Sequence, residues 1–266
     1  MRKSYLLGFL LVLIPLLTAC DNMERSERLI YEKPAPSVRC VLLEDFTGQR
    51  CVNCPKGAEI IDQLLAEYGE NVVAVGIHGG PLGFSGGAAG IQGLATEVGD
   101  EYYEHWNLEY QPVGLVNRRY GAVNYTDWIS KVKEELAKPA PLTLTATAWI
   151  TGQVISTNIH AYGTEGTTTG KLQVWLLEDN ITAIQLMPDG SANRDYVHNH
   201  VLRTPVNGTW GEDINVIEAV DTSVDYMLPY NAAWDPHQLS IVAFVYNDSG
   251  VQQAVKCKVE MMNETE

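Results

Sequence analysis

The chain has 266 residues, of which 45% are hydrophobic, and a formal net charge of −15. That excess of carboxylates excludes a protein that tracks a nucleic-acid backbone, which needs clustered Lys and Arg. The length suggests one or two domains, and the apolar content is ordinary for a globular protein.

The chain opens with Arg2 and Lys3, an apolar run from Tyr5 to Leu17 and then "LTAC". This order reads as a secretory signal peptide over residues 1–19, too short for a confident membrane span. "LTAC" resembles the bacterial lipobox. On that resemblance the mature chain starts at Cys20, which carries lipid and anchors the protein durably. Loss of Arg2 and Lys3 leaves the mature chain near −17, so the acyl anchor must do the holding. Residues 20–37, charged and then proline-rich, read as a tether. Outside the cytoplasm disulfides persist, and Cys40, Cys51, Cys54 and Cys257 remain as an even set.

The nearly continuous apolar run "VRCVLLEDF" (38–46) reads as a buried strand. In "PKGAEIIDQLLAEYG" Ala58, Ile61, Leu65 and Tyr68 recur at helical spacing, and Gly69 sits at the C-cap. "NVVAVGIH" (71–78) is a second buried strand. Strand, helix and strand in about forty residues make a βαβ unit with parallel strands. Residues 79–93 hold seven glycines. Without Gly-Lys-Ser/Thr they form no phosphate loop, and they read as a flexible surface loop or a lid beside the cysteines. Residues 94–106 read as short helical pieces, and "QPVGLVNRRY" (111–120) as a strand opened by Pro112. "TDWISKVKEELAKP" reads as a helix capped by Thr126, with apolar Trp128, Ile129, Val132 and Leu136, stopping at Pro139.

After "PAP" (139–141) the pattern becomes strand-like. Segments 142–150, 154–162, 171–179, 195–203, 239–247 and 251–260 alternate or run apolar between turn residues, which suggests a β-sandwich. The expectation is an α/β domain over 38–139 and an all-β, immunoglobulin-like sandwich over 140–266, joined by a stiff proline hinge. Trp149, Trp175, Trp210 and Trp234 are core candidates, and an exposed subset would suit a protein or glycan partner.

"EDFTGQRCVNCPKG" (44–57) carries the candidate chemistry. Cys51 is expected at a helix start, where free N–H groups and the dipole favour thiolate, with Arg50 adding positive charge. A thiolate there attacks a partner disulfide, and Cys54 one turn on resolves the mixed disulfide. His78 ends the second strand, where it either lines the same site or stands in solvent. A zinc half-site lacks a second ligand pair at suitable spacing, whereas a permanent structural disulfide stays open as the alternative. Cys40 and Cys257 either bridge the two domains or stay as buried thiols. His198 and His200 would share one side of a strand, a geometry open to metal but lacking a third ligand. No metal and no cofactor is expected.

Residues 38–139 resemble thioredoxin. "EDFTGQRCVNC" follows the family's acidic residue, Phe and Cys-x-x-Cys. Asp45 takes the place of its buried acid and Pro112 that of its cis-proline. Arg50 replaces the usual tryptophan, Val52 and Asn53 form the intervening pair, and Pro55 and the glycine-rich insert are further departures. The resemblance implies thiol–disulfide exchange through Cys51 and Cys54, proton transfer by Asp45 and client docking along a cis Pro112. The whole chain resembles the Bacteroidota outer-membrane lipoprotein family of the twenty-eight-kilodalton outer membrane protein, on the lipobox, "FTGQRCVNCP", "QPVGLVNR" and "LLEDNITAIQ…YVHNHVLR". That implies an envelope lipoprotein, held to the membrane through Cys20, whose partner is an exported or surface protein.

Overall fold

The computed structural model describes residues 33–87 and 91–262. The signal peptide, Cys20 and most of the tether lie outside the described residues. Residues 34–262 belong to one compact unit.

Strand β1 (Val41–Thr47) leads through the cysteine pair to helix α1 (Cys54–Tyr68) and then strand β2 (Val72–His78). Pro55 sits in the first helical turn, where its missing N–H costs nothing, and Gly69 ends the helix at φ 54°. β1 and β2 are parallel from Val41 opposite Val72 to Thr47 opposite His78. The βαβ reading therefore holds. Helix α2 (Glu97–His105) is capped by Thr96, whose hydroxyl accepts from Gly99 N–H at 3.0 Å. Strands β3 (Val113–Val116) and β4 (Val123–Asn124) follow, β3 antiparallel to β1. Helix α3 (Trp128–Leu136) starts after a 3₁₀ turn over Tyr125–Asp127. Thr126 does not cap α3, whose N-cap is Asp127 with no side-chain capping bond; Asn124 caps the 3₁₀ turn, accepting from Thr126 N–H at 3.1 Å.

The rest is β: β5 (Leu142–Thr151), β6 (Val154–Gly163), β7 (Thr168–Glu178), β8 (Ile181–Leu186), β9 (Ala192–His198), β10 (Val201–Pro205), β11 (Glu212–Val216), β12 (Asp221–Pro229), β13 (Leu239–Asn247) and β14 (Gly250–Met261). A mixed sheet runs in the order β12-β6-β5-β14-β13-β7-β10-β2-β1-β3-β4, with β11 on β7. β8 and β9 form a separate antiparallel hairpin.

Three layers of side chains explain the apolar runs. One face of β1–β3 (Val41, Leu43, Val72, Ala74, Val116) is covered by Ile61 and Leu64 of α1 and by Trp128 and Val132 of α3. The other face (Leu42, Phe46, Val73, Val75, Ile77) meets Tyr102 of α2 and Trp175, Leu177, Val242 and Phe244 of β7 and β13. The alternate residues of β7 and β13 (Leu172, Val174, Leu176, Ile241, Ala243, Val245) pack on Leu142, Leu144, Ile155 and Ile159 of β5 and β6. Strands buried on both faces lose the alternation of a half-exposed strand, and β7 and β13 read as continuous apolar runs for this reason.

One sheet path and one core layer include residues from both sides of position 139. The proline segment is strapped down: Arg39 donates to the carbonyls of Lys138 and Pro139 at 3.2 and 2.7 Å, and Ala140 N–H donates to Ser37 O at 3.1 Å. Cys40 and Cys257 form no bridge. Cys40 belongs to the layer between β1–β3 and β7/β13, while Cys257 packs with the layer beyond. Sγ of Cys40 donates to Glu70 O at 3.2 Å, and burial, with Glu70 adding to it, pushes its thiol up to about 12.

Candidate functional site: a disulfide under a hairpin

The site forms where β1 ends. Thr47 and Gly48 turn the chain, and Gly48 is required because a side chain there would collide with the Leu82 carbonyl. Cys51 N–H donates to Gly48 O at 3.0 Å and Cys54 N–H to Cys51 O at 3.3 Å. This tight turn brings the sulfurs of Cys51 and Cys54 into a disulfide, with Cα atoms 5.4 Å apart.

The helix begins at Cys54, so Cys51 lies in the turn before it, not at the helix start expected from the sequence. Nor is Cys51 exposed: its relative exposure is 1%, and that of Cys54 is 3%. Arg50 is exposed, with its guanidinium 5.0 Å from the ring centre of Phe84. The Gln111–Pro112 bond is cis. A methyl group added at Gly57 would stand 3.2 Å from Trp128 and 3.4 Å from Pro112, so the glycine lets both approach α1.

The cover over the disulfide is the β8–β9 hairpin, of which the sequence reading identified part of β9, within 195–203, and not β8. Gln185 Nε2 donates to Cys51 O at 2.8 Å and Leu186 N–H to Gln49 O at 2.9 Å. Gln49 in turn donates from Nε2 to Ile184 O and Gln92 O, both at 3.0 Å, and accepts from Leu94 N–H at 2.8 Å. The glycine-rich segment is thus pinned where described, not a free surface loop. Gln111, just before Pro112, adds bonds to Thr47 O at 2.7 Å and Gly79 O at 3.0 Å.

Between hairpin, α1 and the ends of β1 and β2 lies a cavity of about 90 Å³. Asp45, Cys54, His78, Gln185, Tyr196 and His198 are among its walls. His78 and His198 meet edge to face with ring centres 5.3 Å apart. His78 is buried, not in solvent. Asp45 Oδ1, His78 Nδ1 and His198 Nε2 are buried and lack a protein partner. Burial pushes the Asp45 carboxyl up to about 8. Burial takes His78 down to about 3, helped by His198 and Arg203, and His198 down to about 4. All three groups are therefore held neutral near neutral pH.

His200 lies outside the strand that carries His198, although both are among the residues lining the cavity. The chain breaks between β9 and β10, with His200 at φ 59°, and its Nδ1 pairs with Asp179 at 2.9 Å. The predicted strand 195–203 is two strands serving different sheets.

The profile of the family described as Outer membrane protein Omp28 matches residues 99–263. No curated protein sequence matches the chain. HBP35 of Porphyromonas gingivalis has a similar structure, with a TM-score of 0.67 at 16% identity over 86% of this chain and 79% of that one. A protein of Agrobacterium tumefaciens matches with a TM-score of 0.54 at 16% identity, over 87% of this chain and 98% of that one. A domain of the outer membrane lipoprotein Omp28 from P. gingivalis is 28% identical over 47% of this chain and 92% of its own length, with a TM-score of 0.35. The two structures with the higher scores speak for the fold. The profile match spans well over half of the sequence, and by it the chain belongs to the Omp28 family of outer membrane proteins of the cell envelope.

Proposed function

We propose that this envelope protein, tethered by lipid at Cys20, exchanges thiols and disulfides with exported or surface protein clients through Cys51 and Cys54. The observation that carries the reading is the formed Cys51–Cys54 disulfide at the head of α1, with Cys54 and the buried carboxyl of Asp45 lining one cavity. The βαβ start, the cis bond before Pro112 and the position of Pro112 against α1 support reading 38–139 as thioredoxin-like. The β-rich remainder is read as an immunoglobulin-like sandwich, in which β7 and β13 face β5 and β6.

In the exchange, a client thiolate attacks Cys51 Sγ. A client–Cys51 bond forms, the Cys51–Cys54 bond breaks, and the electron pair leaves on Cys54, which takes up a proton. A second client thiolate then attacks the client sulfur of the mixed disulfide. The client dithiol leaves oxidised, and Cys51 leaves as a thiolate that takes up a proton. The reverse sequence reduces a client disulfide. Asp45, protonated near neutral pH, is the proton donor to Cys54. Burial of both sulfurs means that the β8–β9 hairpin must move before a client enters.

The test is to trap the intermediate. A Cys54→Ser chain lacks the resolving thiol, so Cys51 should collect covalent mixed disulfides with envelope proteins that dissolve on reduction. A Cys51→Ser chain should collect none. Equal trapping by both variants, or by neither, contradicts the reading.

A second reading, partner binding with a structural disulfide, draws on a cleft of about 900 Å³ lined by Trp106, Trp210 and Tyr246 with Lys171, Asp213 and Asn215. Aromatic walls with a few polar groups are what a ligand or partner uses.

A further inference from the structure

We propose that His198, carried by the covering hairpin, passes protons between solvent and the Asp45–Cys54 pair, with His78 completing the polar wall of that path. The inference deepens the exchange reading and rests on the Cys51–Cys54 pair cycling between disulfide and dithiol.

The geometry is that of a proton chamber. Asp45, Cys54, His78 and His198 are buried walls of it, His200 is half-buried, and the exposed Asp62 and Asn199 open it to solvent. A polar cavity of about 90 Å³ accommodates at least about three waters, each needing two to four polar partners. Asp45 Oδ1, His78 Nδ1 and His198 Nε2 are buried groups with no protein partner, on residues less than a tenth exposed. Leaving three such atoms unsatisfied is costly, so water is their natural partner. Nε2 of His198 is the buried ring nitrogen without a protein partner, and it is the one that takes a proton from the chamber. Arg203 acts on His78, Asp62 and Glu59 act on the neutral wall Tyr196, and His200, paired with Asp179 at 2.9 Å, is a further wall.

The step balances. When a thiolate breaks the disulfide, Cys54 leaves with the electron pair and takes the proton of the Asp45 carboxyl. Asp45, now a buried carboxylate, is reprotonated along the chamber, Nε2 of His198 taking a proton from rim water and returning it inward. Resolution by Cys54 runs the path backward. His198 is a positioning and relay residue, since no bond of the exchange forms or breaks on it.

The test is the rate at which dithiothreitol reduces Cys51–Cys54 in the full chain at neutral pH, read by quenched alkylation and mass. His198→Gln should slow it by roughly tenfold or more, a modest share of what acid–base assistance supplies. His198→Ala should be slowed likewise and recover on adding imidazole, and His160→Gln, on β6 and not among the chamber's walls, should be unchanged. A merely structural role predicts the opposite sign, because a loosened hairpin exposes the disulfide and speeds reduction. The wild-type chain, needing no variant to fold, should react more slowly in deuterium oxide. An unchanged or faster His198→Gln, a slowdown that imidazole does not relieve, or no isotope effect overturns the proposal. Failure to trap clients on Cys51 would instead remove the exchange reading and leave this result standing.

Discussion

Gln185, on the β8 strand of the hairpin, reaches across to the carbonyl oxygen of Cys51 at 2.8 Å and ties the cover directly to the disulfide turn. The same amide group also approaches Gly48 O at 3.4 Å. Gln185→Leu removes this tie while keeping an apolar body of similar size. The variant should lose about 1 kcal/mol of stability, the ordinary net value of one hydrogen bond. Its disulfide should reduce faster than that of the wild-type chain, as followed by alkylation after timed exposure to dithiothreitol. A slower rate would mean that the hairpin does not shield the sulfurs.

The buried titratable groups make stability depend on pH in two opposite senses. The folded state holds the Asp45 proton up to about 8, whereas the unfolded chain releases it near the ordinary 3.8. The folded state therefore binds the extra proton across that interval, and stability falls as pH rises through it. The gap is worth on the order of 5 kcal/mol at its full extent. Asp45→Asn should abolish the decline, seen as urea midpoints that no longer drop between pH 5 and pH 8.

His78 and His198 act the other way. Their folded values of about 3 and about 4 lie below the ordinary 6.5. The unfolded chain binds protons that the folded chain refuses, so their contribution is full above 6.5 and is lost as pH falls toward those values. His78→Gln should flatten the acid side of the stability profile, again by urea midpoints. A profile as steep as that of the wild-type chain would show that His78 is already charged in the folded state.

Glu44 and Arg118 form a buried bidentate pair at 2.7 and 2.8 Å, with Arg118 also packed against Trp106, Phe244 and Tyr246. Arg118→Met leaves a buried carboxylate alone and should cost about 3–5 kcal/mol. Adding Glu44→Gln should recover part of that loss. The check is a double-mutant cycle by chemical denaturation, with additive losses as the contrary result.

How far the sequence foretold this depends on the range of each interaction. β1, α1, β2 and α3 were legible because local periodicity and Gly69 and Pro55 set them within a few residues. Asp45, Cys51, Cys54 and Pro112 were singled out through a family resemblance, and of these Asp45 and Cys54 line the cavity. The hairpin cover was not, because Gln185 meets Cys51 across 134 residues of chain, and no periodicity encodes such a contact. The single strand read over 195–203 failed at His200, a left-handed residue that any non-glycine pattern hides. His198 and His78 come together from β9 and β2, and only the fold places them edge to face.

The central claim is that Cys51–Cys54 is a working redox pair and not a staple, and its reduction potential tests that most directly. Equilibration of the full chain with defined glutathione or dithiothreitol buffers, quenched and read by mass, gives the value. Thiol–disulfide exchange predicts a potential in the range of known oxidoreductases, roughly −270 to −120 mV. A value below about −300 mV would mark a structural disulfide and contradict the account.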